Sequence, residues 1–329
     1  MKIRTLGAKL AVASFFGAAA ISGSAFAADL SSGGDGGGGY KDGPPPAAYF
    51  VDDSIGFRYG TAFKEPGVNC GECQPGNAAG DIEKGVLEFI HFNTDKWGSN
   101  FLNIDTLFST GKDPVEAHNG SGCCGTGGAT EVYAVYRRYF SYGGVTGTNT
   151  SYGIIKDYGL NIGGDWNTKN DPFSAEKRSF VVGPQIVLSL WGGEVRAAVD
   201  YYAERNHNAF ANLYQDFESF DIETGWRFPL KFTGAPLTFQ GYANYIAPKG
   251  NQACYLYGPS FSHPTNCTTV GEFHTQAELM LDAGSYFGAA HKFDVGVGYE
   301  YWLNKFGNNA ADLPGTIANT PMIIGRYHF

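Results

Sequence analysis

From about residue 50 onward, apolar and polar residues alternate in segments of roughly ten, separated by turn-forming residues. Four segments alternate most clearly. In "SIGFRYGTAF", Ile55, Phe57, Tyr59 and Phe63 fall on one side, opposite Arg58 and three small residues. "EVRAAVDYYAE" separates Val195, Ala197, Val199 and Tyr201 from Arg196, Asp200, Tyr202 and Glu204. "EFHTQAELMLD" separates Phe273, Ala277, Leu279 and Leu281 from Glu272, His274, Gln276, Glu278 and Asp282. "KFDVGVGYEY" separates Phe293, Val295, Val297, Tyr299 and Tyr301 from Asp294 and Glu300. With weaker segments included, the pattern predicts strands at 51–63, 84–94, 99–109, 131–141, 150–167, 177–190, 194–205, 214–227, 236–247, 272–283, 292–303 and 319–329. "EVYAVYRRYF" alternates poorly, and "GVLEFIHF" leaves its faces unassigned.

The count is even, and the connections sort into two sets. Those after odd-numbered strands (64–83, 110–130, 168–176, 206–213, 248–271 and 304–318) are often long and rich in Gly, Asn and Pro. The other set, "TDKW", "YGGVTGTN", "WGGE", "RFPLKFTGAP" and "GSYFGAAH", is mostly shorter. Short turns on one side and long loops on the other are the signature of a transmembrane barrel. The expected fold is therefore all-β, a twelve-stranded antiparallel transmembrane β-barrel of the outer-membrane type. In lipid such a barrel must pair its last strand with its first, because an open edge leaves backbone groups unsatisfied. Phe329, an aromatic on that last strand, is expected to serve as the membrane-insertion signal, which makes the outer-membrane insertion machinery a partner. Alternation back from it turns Tyr327 and Ile323 outward and His328, Arg326 and Ile324 inward. Tyr327, Phe329, Trp226, Tyr299 and Trp302 lie near strand ends, where interface aromatics are expected.

Composition adds constraints. Aromatic residues reach 15% and charged residues only 17%. Beyond the N-terminus no run of about eighteen apolar residues occurs, so spanning helices are excluded. A secreted soluble β-protein shares this coarse profile. The start, with Lys2, Arg4 and Lys9, an apolar run, and Ala25-Phe26-Ala27, reads as a bacterial secretory signal over 1–27. A Gly- and Pro-rich leader occupies 28–49, and the barrel occupies 50–329. Losing the three signal cations takes the formal net charge from −9 to −12, which makes nucleic acid a poor partner. The expected location is the bacterial outer membrane, with its lipid bilayer as partner.

All six cysteines fall in predicted long loops. Cys70-Gly-Glu-Cys73 has redox spacing, but no βαβ unit accompanies it. In an exported chain disulfides are the better reading. Cys254 with Cys267 would restrain one loop by roughly 3 kcal/mol in the entropy account. Cys70, Cys73, Cys123 and Cys124 would tie the first long loop to the second, in a connectivity that spacing leaves open.

The inward positions set the candidate chemistry. The lumen-lining, solute-path candidates are Arg58, Asn103, Asp105, Asp157, Arg196, Asp200, Tyr202, Tyr242, Glu278, Glu300 and Arg326. Charged rings on such a wall select solutes, and Tyr202 and Tyr242 offer stacking faces to planar rings. The competing reading is that these charges pair across strands and fill the barrel. No catalytic arrangement emerges: no nucleophile motif is present. His274 and Glu278 share a strand face about 13 Å apart, too far to share a metal. Neither metal nor cofactor is expected.

"SIGFRYGTAFKEPG", "LEFIHFNTDKWGSNFLNIDTLFST", "EVYAVYRRYFS", "LTFQGYANYIAPKG", "VGVGYEYWLNKFGN" and "GRYHF" resemble, in order and spacing, the nucleoside-specific channel-forming outer-membrane porins, the Tsx/OmpK-like family. The resemblance covers most of 51–329. It implies a monomeric twelve-stranded barrel with a narrow channel for passive diffusion of small hydrophilic solutes, nucleosides first, and no enzymatic activity. The Gly/Pro leader and the loop cysteines depart from the family pattern and leave the solute open. A structural or receptor-type barrel with a filled lumen is the alternative.

Overall fold

The computed structural model describes residues 50–66, 80–113, 127–170, 175–208, 213–254, 265–311 and 313–329. The expected signal and leader (1–49), together with Cys70, Cys73, Cys123 and Cys124, lie outside these residues. The strands are β1 (Phe50–Phe63), β2 (Ile82–Asp95), β3 (Gly98–Ser109), β4 (Thr130–Ser141), β5 (Ile155–Lys169), β6 (Arg178–Leu190), β7 (Gly193–Asn208), β8 (Leu213–Pro229), β9 (Leu237–Ile246), β10 (Asn251–Cys254), β11 (Thr265–Thr268), β12 (Glu272–Asp282), β13 (Phe293–Leu303) and β14 (Ile317–His328). Twelve of them close a barrel in the order β1-β14-β13-β12-β9-β8-β7-β6-β5-β4-β3-β2. Each predicted strand overlaps one barrel strand, with ends shifted by a few residues.

Closure is made by β1 against β14, antiparallel from Ser54↔His328 to Gly60↔Met322. The Phe329 amide extends it by donating to the Asp53 carbonyl at 3.0 Å. Proline lacks the N–H that a ladder needs, so its place in a closed sheet is restricted. Pro184 lies where the β6–β7 register breaks off between Val182↔Tyr201 and Gln185↔Ala198. Pro321 lies one residue past the last β1–β14 pair.

One end of the barrel carries the short connections. The β6–β7 hairpin turns on Trp191 and Gly192 alone, both at positive φ (50° and 78°), the combination a type I′ turn requires. The connection between β4 and β5 includes a short helix, α1 (Tyr142–Thr146). The opposite end carries the long loops. The loop between β9 and β12 contains the β10–β11 hairpin, which the alternation pattern did not reveal. In its register Cys254 opposes Thr265 and Cys267 opposes Gln252, so the two cysteines occupy diagonal rather than facing positions.

Phe63 departs from its expected face. The β1–β2 register shifts between Gly60 and Phe63, and this irregularity turns Phe63 into the lumen. There it is 4% exposed and packs with Ile82, Val86 and Met322.

Candidate functional site

The two faces of the wall differ in chemistry. Outward positions are apolar and exposed: Phe57 on β1, Leu87 on β2, Phe180 on β6, Val199 on β7, Leu279 on β12, Val297 on β13 and Ile323 on β14. Ile323, at 63% exposure, sits between Tyr59 and Val297 in register, so the apolar exterior continues across the closure. The inward positions on the same strands carry buried Arg58, Glu88, Asp200, Glu278 and Arg326. A greasy exterior around a charged interior, with every strand paired on both sides, is the arrangement that satisfies backbone groups in lipid. The chain is a β-barrel of the bacterial outer membrane.

Charged side chains cross the middle of this outer-membrane barrel. The Arg58 guanidinium reaches Asp105 on β3 and donates to Gln276 Oε1 on β12 at 2.6 Å. Arg326 donates to Glu88 on β2 at 3.0 Å and lies 3.5 Å from Glu278 on β12. On the other side Arg137 of β4 donates from Nε to both Glu223 oxygens on β8 at 2.9 Å, and from Nη1 to Asp165 at 2.8 Å. Asn161 adds a bond to Asp200 at 2.8 Å. Arg137–Asp165 joins adjacent strands, whereas the other contacts skip at least one strand, so they brace the cylinder across its bore.

On the long-loop side of this layer lies a cavity of about 1020 Å³ of atom-free space, solvent at its mouth included. Of the predicted lumen residues, it brings together Arg58, Asn103, Asp105, Tyr242 and Glu300. Its wall also holds Tyr133, Asn244, His274, Gln276 and Trp302. The His274 and Trp302 rings stack at 4.0 Å between centroids, and Tyr242 meets His274 edge-on at 5.1 Å. Asn103 Oδ1 and Asp105 Oδ1 are buried there with no hydrogen-bond partner among the described residues.

The other predicted residues lie elsewhere. Asp200, Glu278 and Arg326 belong to the bracing layer. Tyr202 is held nearer the long loops by Glu204, whose Oε2 its hydroxyl meets at 2.5 Å. Asp157 and Arg196 lie at the short-turn end: Asp157 accepts from Tyr139 at 2.9 Å and Thr150 at 2.6 Å, and Arg196 donates to Ser99 at 2.8 Å.

Trp302 was expected among the outward interface aromatics, but it faces the lumen, its indole N–H donating to Glu272 at 2.8 Å. Strict alternation from inward Glu300 through outward Tyr301 would have placed it correctly. Trp226, Tyr299, Tyr327 and Phe329 keep outward positions, Trp226 against Phe239 at 6.0 Å.

Sequence reading also missed the loop-side mouth. Glu65 and Asp113, each from a long loop, are buried against Lys84, Lys169 and Lys305. Burial by itself would raise the Glu65 carboxyl, but Lys169, Lys305 and Lys84 together hold it well below the usual carboxylate range.

Several solved barrels are similar to this one. They include a TodX deltaS2S3 mutant monoaromatic hydrocarbon channel (6% identity, 87% of this chain and 90% of that one, TM-score 0.36). The β-domain of the Bordetella autotransporter Brka gives 12% identity over 85% and 100%, with a TM-score of 0.34. A BenF-like porin from Pseudomonas fluorescens Pf-5 gives 8% identity over 86% and 98%, with a TM-score of 0.31. The likeness is loose, and the assignment to the outer membrane rests on closure and on the two faces of the wall. No protein-family model matches the sequence, and no curated protein matches it.

Proposed function

We propose that the barrel is a channel for passive diffusion of small hydrophilic solutes, nucleosides first, with no catalytic role. The observation that carries this reading is the cavity: Tyr242 and the stacked His274–Trp302 pair line it together with the buried acceptors Asn103 Oδ1 and Asp105 Oδ1, which have no hydrogen-bond partner among the described residues. A nucleoside offers a π-face for the rings and N–H and O–H donors for the acceptors. Stacking on one aromatic side chain contributes about 1–3 kcal/mol per base. That suits a solute which must also leave. The sequence resemblance to nucleoside-specific channels supports the same choice.

A second reading has its own observation in favour. The Arg137–Glu223 pair joins strands on distant parts of the wall, so it also fits a braced, insulating barrel. Swelling of liposomes loaded with the purified barrel separates the two. We expect adenosine and uridine to enter faster than a sugar of equal mass, with Trp302→Ala reducing that preference several-fold. Liposomes that do not swell with any solute would establish the braced barrel instead.

A further inference from the structure

Three lysines from separate parts of the barrel converge on a single carboxylate at the loop-side mouth. Lys84 lies on β2, Lys169 ends β5, and Lys305 follows β13. All three reach Glu65, two residues past the end of β1. Lys84 Nζ pairs with its Oε1, Lys305 Nζ lies 3.1 Å from the same oxygen, and Lys169 Nζ lies 3.6 Å from Oε2. Asp113, from the loop after β3, accepts from Lys169 at 2.9 Å. These five side chains are all buried.

Burying this many charges is an expensive way to pin a loop, since desolvation offsets most of the Coulombic gain. An apolar residue at position 65 would hold the loop at less cost. Asp113 also lies 3.4 Å from Lys84, and Glu131 lies 3.8 Å from it, but Glu65 alone is shared by all three ammoniums. Such a cluster has a property that an apolar contact lacks: it exchanges a shared carboxylate for another oxyanion. Chemically, Glu65 is a carboxylate on a tether. Lys84 and Lys305 also line the solute cavity, so the cluster and the cavity are continuous.

We propose that Lys84, Lys169 and Lys305 form a binding site for the carboxylate or phosphate group of a small anionic solute, and that Glu65 occupies it as a built-in competitor. A tethered group competes at an effective concentration in the millimolar range. Solute therefore binds with an apparent affinity lowered by the fraction of molecules in which Glu65 holds the site. When the solute takes the lysines, the Glu65 carboxylate is displaced from them. The site does not depend on the nucleoside reading, because binding is measured on the folded barrel with no flux involved.

The test is calorimetric titration of inorganic phosphate and of succinate into the detergent-solubilised barrel at low salt. Glu65→Gln is expected to bind at least one of the two about tenfold more tightly than the unsubstituted protein. Adding Lys305→Met to that variant is expected to remove the gain. Tightening for phosphate alone or for succinate alone identifies the oxyanion the site prefers. The proposal is overturned if Glu65→Gln binds both anions no more tightly than the parent, or if Lys305→Met leaves the tightened binding unchanged. Should Glu65→Gln not fold, Glu65→Asp, which keeps the charge but shortens the tether, is read by the same two outcomes.

Discussion

Arg137→Ala is expected to destabilise the barrel by about 3–5 kcal/mol, the usual cost of removing one partner from a buried ion pair. Arg137 is 4% exposed and supplies the guanidinium for both Glu223 and Asp165, and Glu223 is 0% exposed. Alanine leaves two carboxylates in the bore without the cation that compensates them. Asp165 retains Lys177 at 3.1 Å, whereas Glu223 keeps the Asn161 amide at 3.3 Å among the described residues. The loss is measured as a shift in the chemical unfolding midpoint in lipid vesicles. The combined replacement Arg137→Met with Glu223→Gln removes both charges and should recover most of it. A loss for Arg137→Ala below about 1 kcal/mol would be the value of a solvated pair. That result would describe a wide, watery bore rather than a braced one.

Ile323→Arg should cost about 2–4 kcal/mol of folding into vesicles, the cost of an arginine on the lipid face near the bilayer midplane. Ile323 is central in β14, opposite Tyr59 and Val297, and points away from the lumen. The same change at Tyr327, near the end of that strand, should cost only about 0–1 kcal/mol, because the penalty falls toward the interface. Equal losses at the two positions would contradict a lipid-facing exterior, since a soluble protein surface has no depth.

The barrel was legible in the sequence because period-two alternation survives wherever one face meets lipid and the other is polar. Where it failed, the inner wall was not polar. On β2, Val86, Ile90 and Phe92 point inward beside Glu88, so both faces of "GVLEFIHF" are apolar. On β4, Arg138 occupies an outward position yet is buried by its pair with Asp95 at 2.8 Å, which blurs the pattern around Arg137. Phe63 was misplaced because the irregularity after Gly60 shifts the count by one. Only part of the candidate site could be read. Arg58, Asn103, Asp105, Tyr242 and Glu300 follow from alternation, whereas Glu65 and Asp113 come from loops, whose inward folding has no period. Their lysine partners are ordinary strand or turn residues until the fold brings them together.

The central claim is that alternate residues of each strand meet lipid and lumen. It is tested most directly by a nitroxide scan of β14 in vesicles, one cysteine at a time from Ala318 to Tyr327, in a chain whose six native cysteines are replaced by serine. Oxygen, which concentrates in lipid, should reach labels at Asn319, Pro321, Ile323, Gly325 and Tyr327 and be excluded at Thr320, Met322, Ile324 and Arg326. Accessibility without that two-residue period, or exterior labels reached best by a water-soluble relaxant, would contradict the account.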